Sequence, residues 1–125
     1  MASNFEMIQE FNRAMEVPHD PNFERADISL LVDKLISEET KELFDELHVP
    51  RKVDKVKLAK ELADLLYVTY YMADVYEIPI DRVYAEVHKS NMSKLDENGK
   101  PIRREDGKIL KGPNYRPPEL NHIFK

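Results

Sequence analysis

The positions of glycine and proline constrain the fold of this chain more than any other feature. All three Gly residues lie at or beyond position 99, and no Pro falls within residues 25–48 or 54–76. Gly and Pro are the residues that most often interrupt regular structure. We therefore expect long helices in the first three quarters of the chain and an irregular segment after them.

Local signals around these breaks predict four helices. Ser3 and Glu6 have the spacing of a capping box, in which each side chain bonds the backbone N–H of the other residue at the start of a helix. Asp54 is a candidate cap for the third helix. We expect the helices over about residues 3–17, 25–48, 54–76 and 80–95. The predicted fold class is all-α, a four-helix bundle followed by an irregular tail.

The tail carries different signals. Asn98-Gly99 and Asp106-Gly107 are hairpin-type turn sequences, and Ile102 and Ile109-Leu110 are short candidate strands beside them. We interpret residues 1–95 as a helical core and residues 96–125 as a basic tail that folds over a site. Together the two segments are predicted to form a single domain.

The charge distribution bears on the kind of partner. Residues 1–88 carry 19 acidic and 10 basic side chains, whereas residues 89–125 carry 9 basic and 5 acidic ones. Duplex DNA is bound by one broad basic face, so we predict no nucleic acid partner. An acidic body with a basic tail suits a polyanion held between metal ions and Lys or Arg. The alternative is a basic tail that only improves solubility.

The compartment is predicted from what the sequence lacks. The chain has no Cys, and disulfides are typical of secreted proteins. It shows no signal-peptide pattern and no apolar run long enough for a bilayer. We therefore expect a cytoplasmic protein with no membrane partner.

Two groups of carboxylates lie on the predicted second and third helices. Glu38, Glu39 and Glu42 fall at i, i+1 and i+4, and Glu61 and Asp64 fall at i and i+3, so each group puts at least two on one helical face. Apolar residues share those faces, and bare carboxylates there would cost several kcal/mol unless paired or bound to metal. Five oxygen donors from two helices suit Mg²⁺ or Mn²⁺. The alternative is a pair of solvated acidic faces.

This carboxylate spacing resembles the E-E-x-x-E … E-x-x-D signature of the all-α nucleoside triphosphate pyrophosphohydrolases. That superfamily includes MazG, phosphoribosyl-ATP pyrophosphohydrolase and the dimeric dUTPases. Residues 89–95 (KSNMSKL) and 111–118 (KGPNYRPP) are similar to segments of its MazG-like, phosphoribosyl-ATP-pyrophosphohydrolase-like branch. The resemblance covers about residues 5–120 and implies a MazG-like bundle.

The resemblance implies a metal-dependent enzyme that cleaves a nucleoside triphosphate to the monophosphate and pyrophosphate, as in house-cleaning of the nucleotide pool. The first choice of substrate is dUTP. The alternatives are a phosphoribosyl-ATP pyrophosphohydrolase and a catalytically silent helical adaptor. With Mg²⁺ or Mn²⁺ as cofactor, Glu38 or Glu39 would activate water. The alternative role for Glu38 is to help hold a further metal ion. The implied metal ligands are Glu39, Glu42, Glu61 and Asp64.

Substrate contacts are expected in three places. Asn12 on the first helix offers both a donor and an acceptor to the edge of a base. Asn91 has a second interpretation as a helix C-cap. The resemblance implies contacts to sugar and phosphate from Asn91 and Lys94, and to the polyphosphate from Lys111, Tyr115 and Arg116.

The third helix also predicts self-association. From Leu62 to Val75 it is predominantly apolar, broken by Asp64 and Asp74, and a helix that is apolar all round is expected to be buried. So short a chain has too few helices to cover it. We expect a homodimer or a dimer of dimers, with active sites near the interface.

Overall fold

The structure, a computed structural model that describes residues 1–124, confirms the all-α fold class. The chain divides into two compact units, Met1–Ile78 and Pro79–Lys125. Among residues 1–124 no helix has the length and apolar character needed to cross a membrane. The elements are α1 (Asn4–Ala14), α2 (Ala26–Leu47), α3 (Lys55–Val75), α4 (Ile80–Met92), β1 (Ile102–Arg103), β2 (Ile109–Leu110) and a short 3-10 helix (Asn121–Phe124).

The starts of α1 and α3 follow the local signals in the sequence. The capping box is formed: the Glu6 N–H donates to Ser3 Oγ at 3.1 Å, and the Ser3 N–H donates to Glu6 Oε1 at 2.9 Å. At α3 the Asp54 carboxylate accepts from the Val56 N–H at 2.9 Å. These bonds satisfy N–H groups that have no partner within the first turn of a helix. The predicted caps are therefore confirmed.

Helix α2 begins differently, because its N-cap residue, Arg25, makes no side-chain cap. The buried carboxylate of Asp20 accepts instead from the N–H groups of Glu24 and Arg25, at 3.0 and 3.1 Å. The Asp20 N–H in turn donates to the carbonyl of Val75 at 2.7 Å. This one residue thus ties the start of α2 to the end of α3.

Helices α1 and α3 end in the same left-handed turn, and neither uses glycine. Glu16 has φ 56° and Glu77 has φ 54°, each directly after the C-cap residue. The next N–H reaches back to close the turn, from Val17 to the Asn12 carbonyl and from Ile78 to the Ala73 carbonyl, at 2.9 and 2.8 Å. This is the Schellman pattern, which normally places Gly at the left-handed position. With Glu at both positions, no residue type signalled these turns in advance.

In the first unit, α3 packs against both α1 and α2. Ile28 and Val32 near the start of α2 form a buried cluster with Val75 and Tyr76 at the end of α3. The two helices therefore run antiparallel, and the middle of α2 lies beside the beginning of α3. That arrangement decides which acidic residues meet.

The second unit contains α4 and the tail. Strands β1 and β2 pair antiparallel, with Ile102 opposite Leu110, and the turn between them has Gly107 at φ 90°. The predicted strands and this hairpin turn are confirmed. The 3-10 helix buries Ile123. The proposal of a single domain divided at residue 95 stays a prediction.

The non-glycine helix end gives the first prediction. A left-handed backbone costs an ordinary residue about 1–2 kcal/mol, while Gly loses extra entropy of about 0.5–1 kcal/mol on folding. Glu16→Gly should therefore raise the free energy of unfolding by about 0.5–1 kcal/mol, measured by urea denaturation. Glu10→Gly, inside α1, is the matched control and should lower it by about 1 kcal/mol. Destabilisation by both substitutions would contradict the left-handed assignment at Glu16.

Candidate functional site

The candidate site lies between the middle of α2 and the beginning of α3. Helix α2 carries Glu38, Glu39 and Glu42, and helix α3 carries Glu61 and Asp64. Residues three or four apart share a helical face. Because the two helices run antiparallel, the acidic faces meet.

Four of the five carboxylates converge. Glu39, Glu42, Glu61 and Asp64 each offer an oxygen within 4.8 Å of the others, an arrangement that could hold a metal ion. We call these four residues the acidic cluster. Glu38 is exposed and stands outside the cluster, one residue before Glu39.

The cluster is electrostatically strained. Burial, followed by the charges of the other three carboxylates, raises the pKa of the Glu39 carboxyl above its ordinary value. Burial also raises the pKa of Glu61, although Lys60 beside it acts in the opposite direction. Both shifts mean that the ionised forms are disfavoured where they stand.

The donor atoms fit a hard divalent cation. The Oε2 atoms of Glu39 and Glu61 are buried and have no hydrogen-bond partner within residues 1–124. Buried polar atoms normally have partners, so these two are the atoms expected to bind something outside the chain. An all-carboxylate set is the ligand chemistry that Mg²⁺ and Mn²⁺ prefer.

Lys60 neutralises part of the cluster from the chain itself. Its Nζ lies 2.7 Å from Asp64 Oδ2 and 3.8 Å from Glu61 Oε1. The Lys60 side chain is two-thirds exposed, and pairs this exposed contribute little to stability. One ammonium group therefore serves two of the four carboxylates, and Glu39 and Glu42 make no ion pair within the described residues.

Asn12, the predicted base-reading residue, lies in a buried hydrogen-bond network, and its contact with a base stays a prediction. It is 1% exposed, and its Nδ2 donates to Asp74 Oδ2 at 2.7 Å. The same Asp74 oxygen lies 3.2 Å from His19 Nε2, and His19 Nδ1 lies 3.4 Å from Glu77. The Asn12 Oδ1 is buried and has no hydrogen-bond partner within residues 1–124, so it can accept a further hydrogen bond while Nδ2 stays bonded to Asp74.

This buried network was missed by sequence reasoning. Asp74 interrupts the apolar run of α3, which was a signal that it needs a polar partner. The partner is 62 residues away, and no spacing rule connects positions so far apart.

The remaining predicted residues belong to the second unit. Asn91 is exposed on the last turn of α4, and Lys94 is partly buried just after it. Lys111 Nζ stands over the ring of Tyr115 at 4.7 Å, a cation–π contact. Arg116 is fixed by its backbone to Ser90 and Ser93. The tail residues thus come together around the end of α4.

Comparison with protein families matches residues 6–91 to the family model described as phosphoribosyl-ATP pyrophosphohydrolase. The chain belongs to this family. The family is part of the MazG-like all-α nucleoside triphosphate pyrophosphohydrolase superfamily, as the resemblance implied. The match includes the whole acidic cluster and stops at Asn91, before Lys94 and the tail. Comparison with curated proteins gives no match.

The acidic cluster yields a prediction that separates a metal site from a salt-bridged face. Metal at about 100 times its Kd should raise the unfolding free energy of the unchanged protein by about 2.7 kcal/mol. In Glu39→Gln this gain should largely disappear. The metal-free variant should be more stable than the unchanged protein at about pH 7, because the ionised Glu39 is disfavoured by burial and by its neighbours.

The sign of the pH effect can be checked by thermal melts of the unchanged protein and Glu39→Gln at different pH values. A native pKa above the unfolded value costs stability as pH rises through it, so the advantage of Glu39→Gln should vanish on acidification below the ordinary carboxyl pKa. Glu10→Gln is the control, since Glu10 is exposed on α1 and makes no ion pair within residues 1–124. A destabilised Glu39→Gln protein with an unchanged metal response would rule out the metal site.

Proposed function

We propose that this protein hydrolyses the α–β phosphoanhydride of a nucleotide that carries a triphosphate, releasing pyrophosphate and the monophosphate. The observation that supports this most is the convergence of four carboxylates within 4.8 Å, inside the segment matched by the pyrophosphohydrolase family. A divalent cation, Mg²⁺ or Mn²⁺, is proposed as the cofactor. The ligands proposed for it are Glu39, Glu42, Glu61 and Asp64.

The proposed chemistry is a single displacement at the α-phosphorus. The oxygen of a water molecule forms the new bond to phosphorus, and the bond from phosphorus to the α–β bridging oxygen breaks. Glu39, or the exposed Glu38 one residue before it on α2, accepts the proton of the attacking water as a general base. A bound divalent cation supplies Lewis-acid polarisation of the phosphate oxygens and offsets the charge that develops on the leaving pyrophosphate.

The cluster residues also organise the site before any ligand enters. Glu39 and Glu61 are partly buried on facing helices, so their carboxylates have few alternative positions. Preorganised groups lower the cost of reaching the transition state because they need not be ordered during the reaction. Lys60 pairs with Asp64, so a cation that binds Asp64 would have to displace the Lys60 ammonium group from that carboxylate.

Two substrates are proposed, because different observations favour them. The family match favours phosphoribosyl-ATP. The resemblance of residues 89–95 and 111–118 to the MazG-like branch, together with the Asn12 amide as a reader of a small base, is the basis for proposing a deoxynucleoside triphosphate, with dUTP first. Both carry the same triphosphate, so Lys94, Lys111, Tyr115 and Arg116 are proposed to bind the phosphates in either case. Asn91 is proposed to contact the sugar.

The products provide the test of this function. With Mg²⁺ or Mn²⁺, incubation with phosphoribosyl-ATP, dUTP and the other nucleoside triphosphates should yield pyrophosphate and one monophosphate, separated by anion-exchange chromatography. In ¹⁸O-labelled water the label should appear only in the monophosphate, because attack is at the α-phosphorus. Orthophosphate as the first product would overturn the mechanism, and Glu42→Gln is the inactive control that excludes a contaminant.

We further propose that two copies of the chain associate through α1 and α3. A groove of about 180 Å³ lies between these helices and is lined largely by apolar side chains. Leu62, Leu66 and Tyr67 on α3 are each between 43% and 53% exposed, which is costly for large apolar residues that cluster together. Glu61 and Asp64 are their sequence neighbours, so the interface would lie beside the acidic cluster. The groove residues are Asn4, Met7, Ile8, Ala63, Leu66, Tyr67 and Tyr70.

The assembly is tested by light scattering at micromolar concentration. The expected mass is at least twice the 14.7 kDa of one chain. Leu66→Glu should reduce the mass to that of the monomer, because association would then bury an unpaired charge in the interface. Circular dichroism is the control that checks whether the variant keeps its helices. A monomeric unchanged protein would contradict the proposal.

A further inference from the structure

Two serines of the α4 end bind the backbone of one tail residue. Ser90 Oγ donates to the Arg116 carbonyl at 2.7 Å, and the Arg116 N–H donates to Ser93 Oγ at 3.0 Å. Both backbone polar groups of Arg116 are therefore satisfied by side chains of the helix end. Ser90 is 6% exposed, so its hydroxyl is committed to this bond and is unavailable to a ligand.

Ser93 has a second bond that fixes its hydroxyl. Its Oγ donates to the Ser90 carbonyl at 2.6 Å while accepting from Arg116. The Arg116 carbonyl is a second possible acceptor for this hydroxyl, but at 3.4 Å it is the more distant one, and a hydroxyl has only one hydrogen to donate. The S-N-M-S segment consequently uses its serines within the chain, and leaves Asn91 exposed between them.

Gly112 marks a second point of close approach between the tail and the end of α4. A Cβ at this position would lie 2.6 Å from the carbonyl oxygens of both Lys94 and Leu95. Backbone atoms cannot yield as a flexible side chain can, so only Gly permits this approach. Gly107 has a positive φ that favours glycine, whereas Gly112 is required because any side chain there would collide with backbone oxygens.

Around these two points stand the tail residues proposed to bind phosphate. The Tyr115 N–H donates to the Gly112 carbonyl at 3.2 Å, which closes a turn. Lys111 and Tyr115 contact each other across that turn. Residues 111–116 are thus held at Gly112 and at Arg116, and their cationic side chains have a fixed backbone beneath them.

We propose that Ser90, Ser93 and Gly112 form a tail latch, a set of positioning residues that presents Lys111, Tyr115 and Arg116 to the triphosphate. This inference rests on the proposed function, in which those three residues bind phosphate. The latch residues touch no substrate themselves. They reduce the entropy lost when a phosphate orders the tail, which is how preorganisation increases affinity.

The latch is tested by comparing the double variant Ser90→Ala/Ser93→Ala with the unchanged protein. Amide hydrogen exchange at Arg116 should accelerate about tenfold, because its N–H loses its acceptor. The KM for the nucleotide should rise about three- to tenfold, with kcat changed less than about twofold. Ser93→Thr retains a hydroxyl and should therefore keep most of the affinity that is lost in Ser93→Ala. Gly112→Ala should raise the KM similarly.

Two further measurements distinguish positioning from general destabilisation. Lys111→Ala added to the double variant should raise the KM much less than Lys111→Ala alone, since the latch acts through Lys111. The shift in melting temperature produced by Mn²⁺ should be unchanged, because the acidic cluster belongs to the other unit. Ser29→Ala is the matched control: its hydroxyl bonds only the Ala26 carbonyl one turn away, and its KM and exchange should stay unchanged.

The outcomes separate this inference from the proposed function. Faster exchange at Arg116 with an unchanged KM, or a KM effect fully additive with that of Lys111→Ala, would overturn the latch as a positioning device. Unchanged exchange would overturn the latch itself. If the unchanged protein releases pyrophosphate from no nucleotide, the proposed function fails, and nucleotide affinity measured by calorimetry replaces the KM in the same comparison.

Discussion

The mutual repulsion of four carboxylates is the constraint around which the first unit is organised. Glu39, Glu42, Glu61 and Asp64 are brought within 4.8 Å of one another, although each charge disfavours the others. The helices that carry them are held together elsewhere, where apolar side chains near the start of α2 pack on the end of α3. Apolar packing at one end of these helices thus supports an unfavourable charge arrangement further along. A bound cation would offset this repulsion. The electrostatic free energy that destabilises the empty cluster would therefore contribute to the affinity for the cation.

Buried polar groups determine how the helices of the first unit are connected. Asp20 caps the start of α2 through its carboxylate and bonds the end of α3 through its N–H. Asp74 binds Asn12 on α1 and His19 in the loop that follows. Because an unpaired buried polar group is costly, each of these bonds excludes alternative packings in which its partner is missing.

The family relationship and the tail carry different kinds of information. The match to the pyrophosphohydrolase family covers residues 6–91 and includes every residue of the acidic cluster. It establishes the kind of chemistry and leaves the substrate to be decided by other parts of the molecule. Lys94 and the tail lie beyond the match, and the bonds from Ser90 and Ser93 to Arg116 and the close approach at Gly112 supply the physical argument that the cationic tail segment is fixed.

The sequence by itself determined the helices, the caps of α1 and α3, the short hairpin and the two acidic faces, because these depend on interactions between residues close in the chain. A capping box spans four residues, a helical face repeats every three or four, and a hairpin turn is set by a dipeptide such as Asp106-Gly107. Only the tertiary structure decided which of those residues meet. It separated Glu38 from the other four carboxylates, bonded Asn12 to Asp74, and assigned the hydroxyls of Ser90 and Ser93 to the Arg116 backbone. These outcomes depend on packing between segments far apart in the chain, where a side chain's partner is chosen by burial and geometry rather than by its neighbours in sequence.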